Sequence, residues 1–243
     1  MTAGFEQLVA DALAAPVEGW DFAWLVGRSQ GGQPSWSYRD LARSQLDRAS
    51  SLLDVDTGGG ELLSDLAPLP AHAVASEAWA PNVKVAADRL APLGVIVRQS
   101  TGPLPADDDE FDLVLNRHGA CDAVELARVL RPGGMLLTQQ VGSDDCASLN
   151  TALGAPPAYP AGSWDAAVAG AALTAAGFTL VEVREEHPEL TFTDVGALVF
   201  QLRMVPWQVP DFTVARYDEA LRRLHALGPI VTHAHRFLIL ASR

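Results

Sequence analysis

The chain is short of several things, and each shortage narrows what it can be. Its two cysteines, Cys121 and Cys146, cannot build a disulfide framework and match no metal-ligand spacing. A reducing, cytoplasmic compartment is therefore expected. Basic residues are scarce: 17 Lys and Arg stand against 30 Asp and Glu, a formal charge of −13. A phosphate backbone is repelled over most of such a surface, which argues against a nucleic-acid partner. Arg216, Arg222 and Arg223 are near neighbours and read as a solvated helix face rather than a basic cleft. Long apolar runs are missing too. The Ala-rich uncharged stretch 166–181 has 16 residues and contains Gly170 and Gly177. That is short of the roughly 20 needed to span a bilayer, so a soluble protein with no membrane contact is expected. The stretch Met1–Trp20 holds Glu and Asp but no Lys or Arg, and so lacks the basic start of a secretory signal. No internal repeat is present, and nothing in the pattern speaks to oligomeric state.

What is present is a large apolar fraction, 49% of 243 residues, enough for one α/β domain with a sizeable core. The chain is organised around 52–61. Leu52-Leu53-Asp54-Val55 reads as a buried strand, and it breaks through Asp56-Thr57 into Gly58-Gly59-Gly60 and the helix-forming Glu61-Leu62-Leu63. Glycines let the main chain approach a ligand, and the following helix offers amides at its N-terminus.

Before that point, Phe5, Leu8, Val9 and Leu13 mark a helix. A polar loop follows at 27–34, and Trp36 and Tyr38 lead into a second helix. These residues, 1–50, form a helical N-terminal cap in this reading, and 51–243 form the main domain. From Ser51 the rhythm is regular β/α alternation. Strands are expected at 71–77, 95–97, 111–115, 135–141, 178–183 and 236–240, giving about seven in all. A turn at Arg131-Pro132-Gly133-Gly134, a loop at 150–160 and an N-cap at Ser163 complete the outline. Single helices between strands imply a doubly wound, mostly parallel sheet with right-handed crossovers. A helical insert, 193–210, precedes the last strand.

In such a sheet ligands bind beyond the carboxyl ends of the strands. Four places fall there: Gly58–Gly60, Glu77, Ser100-Thr101, and Asn116-Arg117-His118. Glu77 lies 23 positions after Asp54, close to the ~20-residue spacing at which an acid meets ribose hydroxyls. The combination favours an adenosine-containing ligand. The run Asp107–Glu110 resembles a metal site only in composition, and no metal is assigned.

Four pieces in register resemble the class I S-adenosylmethionine-dependent methyltransferases. They are Leu53-Asp54-Val55-Asp56-Thr57-Gly58-Gly59-Gly60; Glu77; Leu104-Pro105 with Glu110-Phe111-Asp112-Leu113-Val114; and Val129-Leu130-Arg131-Pro132-Gly133-Gly134-Met135-Leu136. The resemblance implies a Rossmann-like, seven-stranded sheet whose last strand runs antiparallel to the others. It implies S-adenosyl-L-methionine as cofactor and an O or N atom of a small-molecule acceptor as the methyl's destination. Methylation of an RNA base, or a cofactor-binding module without catalysis, are the alternatives. By the same resemblance Gly58–Gly60 pass beneath the methionine part with Asp54, Thr57 and Gly60 around it, and Glu77 holds the ribose. Ser100 and Thr101 flank the adenine, and Asn116 offers backbone groups toward the methionine end. His118 is the candidate general base, although a histidine that merely caps the loop would stand at the same position. Tyr38, Arg117, Arg203 and Trp207 are candidate acceptor contacts, with 193–210 as an acceptor lid. Asp56 stands where the family carries a glycine, placing a side chain and a charge where close backbone approach is expected.

Overall fold

A computed structural model of the chain describes residues 4–17 and 21–243. Part of the stretch inspected for a signal, Met1–Ala3 and Glu18–Trp20, lies outside them. In chain order the elements begin with α1 (Phe5–Ala14), β1 (Ser29–Gly31), α2 (Tyr38–Leu46), β2 (Ser51–Val55), α3 (Glu61–Asp65), β3 (His72–Glu77), α4 (Ala80–Leu90) and β4 (Ile96–Gln99). They continue with β5 (Phe111–Arg117), α5 (Ala123–Val129), β6 (Leu130–Val141), α6 (Ala147–Leu153), α7 (Ala166–Ala175) and β7 (Thr179–Glu186). The last are β8 (Glu189–Phe192), α8 (Val195–Met204), α9 (Val214–Leu227), β9 (Ile230–His233) and β10 (Arg236–Ser242). They fall into two compact units. One comprises Met1–Pro34, Gly142–Ser163 and Glu186–Arg236; the other Ser35–Val141, Trp164–Glu185 and Phe237–Arg243. The segment 1–50 is thus shared between them.

The second unit is built on the seven-stranded sheet, ordered β4-β3-β2-β5-β6-β10-β7. Pairings β2–β3, β2–β5, β3–β4 and β5–β6 are all parallel. At β10 the direction reverses: Gly133 N–H donates to Arg243 O at the start of β6, and Gly142 N–H donates to His235 O just past its end. All five residues of β2 are buried, as expected of a central parallel strand covered on both faces. Alternate side chains divide between two cores. Leu52, Leu113, Leu115 and Leu137 pack with Leu46, Leu63, Ala86 and Leu90 on one face. Leu53, Val55, Val114 and Leu136 pack with Leu126, Val129, Ala169 and Leu173 on the other. Each fully buried leucine contributes about 1.5–3 kcal/mol.

The first unit has its own core, centred on α8, of whose ten residues all but Gln201 and Arg203 are buried. Its small antiparallel sheet, β1-β8-β9, corrects the sequence reading twice. The stretch 27–34 is not wholly a loop, because Ser29–Gly31 pairs with Leu190–Phe192. Three strands of three or four residues were also absent from the outline, being too short to show an alternation. Other boundaries move as well. Asn150 lies inside α6 rather than in a loop. Asp165, not Ser163, caps α7, accepting from Val168 N–H at 2.8 Å. Residues 131–134 bulge within β6 between the pairs Phe111–Leu130 and Leu113–Met135 instead of separating helix from strand.

Candidate active site

Strand order reverses between β2, which continues into β3 and β4, and β5, which continues into β6. Their last paired residues are Val55 and Asn116. The glycine turn leaves β2 at this switch point. Asp56, Gly58 and Gly60 all have positive φ, +54°, +64° and +79°. The departure at Asp56 is therefore a residue in the left-handed region, which Asp tolerates better than most side chains. Its charge is engaged: Oδ2 accepts from Ala120 N–H at 2.8 Å, tying the turn to the loop after β5.

Glu77, 5% exposed at the end of β3, closes the turn. Oε2 accepts from Gly58 N–H and Oε1 from Trp79 N–H, both at 2.7 Å. Thr57 N–H donates to Ser76 O at 2.9 Å, so β3 fixes the turn through main chain and side chain together. A Cβ built on Gly58 meets no atom within 4 Å, whereas one on Gly60 lies 2.9 Å from Leu90. The turn is thus open in front of Gly58 and packed behind Gly60. Buried Thr57 Oγ1 has no partner in hydrogen-bond geometry. The hydroxyl lies beside the Asp54 carboxyl, and the open glycine next to it leaves room against the turn.

Asp54 lies beneath. Burial pushes its carboxyl up to about 7; Thr57 nearby opposes the shift, and the charges of Asp56 and Glu77 add to it. Asp56 and Glu77 beside the turn, with Asp54 as it ionises, favour a ligand carrying positive charge.

The loop after β5 is held by buried Asn116, whose Nδ2 donates to Ala120 O at 2.7 Å and whose Oδ1 accepts from Gly119 N–H at 3.0 Å and Gln140 Nε2 at 3.3 Å. Arg117 and His118 are exposed beyond it. Trp36 Nε1–H donates to Gln139 Oε1 at 2.8 Å, which orients the amide; Gln139 Nε2 then donates to His118 Nε2 at 3.1 Å. An indole nitrogen only donates, so the relay runs one way and places a lone pair on His118 Nε2. The sequence reading missed Gln139 and Gln140. A polar Thr138-Gln139-Gln140 at the carboxyl end of an apolar strand was the available signal.

Ser100 N–H donates to Glu77 O at 3.1 Å, and its hydroxyl donates to Pro103 O at 2.7 Å, with exposed Thr101 beside it. Tyr38 lies close to Asp54, Arg117 and the backbone of Asn116. It is buried in the core on one face of the sheet with its hydroxyl toward Leu137 O, and burial holds its pKa well above the ordinary value. Arg203 and Trp207 belong to the other unit. There Arg203 does not stand free for an acceptor, since its guanidinium donates to the carbonyls of Ala12 and Ala15 at the end of α1. Trp207 is 43% exposed.

The family model described as a methyltransferase domain matches residues 53–138, which begin inside β2, end inside β6, and contain the glycine turn, Glu77 and the loop after β5. That segment of the chain, 53–138, is similar to a methyltransferase domain, and it lies in a seven-stranded sheet ordered β4-β3-β2-β5-β6-β10-β7. Among solved structures the chain is similar to a functionally unknown protein from Deinococcus radiodurans R1, with a TM-score of 0.60 and 18% identity over 88% of this chain and 90% of that one. A candidate methyltransferase from Bacillus halodurans C-125 gives 0.58 and 21% over 84% and 98%. A geranyl diphosphate methyltransferase in complex with GPP and sinefungin gives 0.52 and 14% over 84% and 77%. These likenesses are of fold. Compared by sequence with the curated proteins, the chain matches none.

Proposed function

We propose that this methyltransferase domain uses S-adenosylmethionine to methylate an oxygen or nitrogen of a small-molecule acceptor in the cytoplasm. The observation that carries the reading is Glu77, a buried carboxylate bridging the amides of Gly58 and Trp79 beside an open glycine at the switch point. When bound, S-adenosylmethionine supplies an electrophilic methyl on a cationic sulfur. Each Glu77 oxygen accepts one amide and keeps a lone pair, so the carboxylate still has capacity for the two ribose hydroxyls. Asp56 and Glu77 beside the turn favour the cation, and Asp54 adds to them as it ionises.

The loop after β5, braced by Asn116 and Asp56, presents Arg117 and His118 toward an acceptor in this reading. Since His118 Nε2 already accepts from Gln139, the lone pair that a base would use is engaged. Orientation and exclusion of water supply the acceleration, and the relay from Trp36 fixes the loop. Methylation of RNA fits poorly with a charge of −13.

The test is calorimetric titration of S-adenosylmethionine into the full chain, followed by acceptor screening with a radiolabelled methyl group. Stoichiometric binding and label transfer to a small molecule are expected. A folded protein that gives no heat and no thermal shift at millimolar cofactor contradicts the reading.

A further inference from the structure

The other unit holds a cluster that the methyl-transfer reading does not use. Asp144 lies in the loop between β6 and α6, His187 in the turn between β7 and β8, and His235 immediately before β10. Each offers a ligand atom, and the three atoms all lie within 4.8 Å of one another. They are 43 and 48 residues apart in sequence, which is why no spacing motif announced them.

His235 is the fixed member, only 2% exposed. Its N–H donates to Asp145 Oδ1 at 2.8 Å, and its carbonyl accepts from Gly142 N–H at 3.0 Å. The ring lies directly against Gly142, where any Cβ would overlap it. Asp144 N–H points at His235 Nδ1 from 3.3 Å, which makes Nδ1 the nitrogen with the lone pair and leaves the proton on Nε2. At that length the bond is weak, and a cation displaces it readily. His187 stacks on this ring, centroids 4.2 Å apart and planes 27° apart. The nearby Arg236 is neutralised by Asp145 at 2.5 Å, so its charge does not oppose a cation.

We propose that Asp144, His187 and His235 form a binding site for a divalent transition metal of the zinc class. Two imidazole nitrogens and one carboxylate oxygen are a donor set that suits Zn²⁺, Co²⁺ or Ni²⁺. Tetrahedral ligands about 2.1 Å from an ion lie roughly 3.4 Å apart, so the cluster has to close by up to about 1.4 Å. Exposed His187, on a turn, supplies that movement. Three protein ligands leave a coordination position open to water or another small ligand. The inference stands apart from cofactor binding, because none of these residues belongs to the glycine turn or its loops.

The experiment uses the full chain, with any affinity tag removed and treated with chelator, titrated with Zn²⁺ by calorimetry and with Co²⁺ by visible absorption. Expected are one equivalent of zinc, a raised melting temperature, and the intense visible bands of a cobalt site below six-coordinate. His187→Ala, an exposed change that leaves the core intact, should weaken zinc by more than about tenfold. His233→Ala, an exposed neighbour outside the cluster, should leave it unchanged. Absence of stoichiometric uptake by the folded protein, equal affinity in His187→Ala, or the weak spectrum of hydrated cobalt overturns the proposal. Because His235→Ala removes a buried ring and risks the fold, His187→Ala is the deciding variant.

Discussion

Asp54 is a carboxyl that the fold holds protonated longer than water would. Its pKa of about 7 in the folded chain lies above the unfolded value near 3.9, so between those values the folded state binds the extra proton. Stability therefore falls as pH rises through that window, by on the order of 4 kcal/mol if the whole shift is expressed. Asp54→Asn removes the titration. The expected result is that the variant gains on the parent between pH 5 and pH 8 in urea midpoint; a constant difference across that range contradicts the assignment. Gln139 makes a separate prediction. Replacing it with Leu leaves buried Trp36 Nε1–H without its acceptor, at a cost of about 1–3 kcal/mol. A lowered urea midpoint checks it, and an unchanged one shows that the relay to His118 holds nothing.

At the scale of elements, the glycine turn separates two effects that one residue type serves. Gly58→Ala places a methyl group in open space, so its stability cost is that of a left-handed alanine, about 1–2 kcal/mol, while the space in front of the turn, where the proposed cofactor would lie, is filled. Gly60→Ala adds a clash with Leu90 to the same backbone cost, roughly 1–3 kcal/mol more. Urea midpoints and cofactor titrations on both variants should show the larger loss of affinity in Gly58→Ala and the larger loss of stability in Gly60→Ala. The opposite ranking contradicts the geometry of the turn. These elements were legible because the local signals agree: apolar runs for β2 and β5, three glycines after β2, and an acid at the end of β3. The first unit was much harder to read. Ser29–Gly31 forms a strand because Leu190–Phe192, more than 150 residues away, supplies its partners, and Glu189–Phe192 is paired in turn with Ile230–His233. No local pattern carries that information. Likewise Asp165 displaced Ser163 as a cap because the helix starts two residues later than composition suggested.

For the whole molecule, acids outnumber bases by 30 to 17, and none of its described helices is long and apolar enough to cross a membrane. The turn, the acid beside it and the strand order at the switch point were readable from sequence, since glycine, acid and strand pattern leave few arrangements. The acceptor end was not. Arg203 braces α1, because a long side chain's destination depends on packing that one sequence does not display. The central claim is that Glu77, by clasping the turn, builds the seat for a sulfonium nucleoside. The most direct test is calorimetric titration of sinefungin into the parent chain and into Glu77→Gln, which replaces one accepting oxygen with a donor facing an amide. The account predicts one-to-one binding by the parent and a loss of about 1–3 kcal/mol, roughly fivefold to 150-fold, in a variant that remains folded. Equal affinity in the two proteins, or no binding by the folded parent at millimolar ligand, would contradict it.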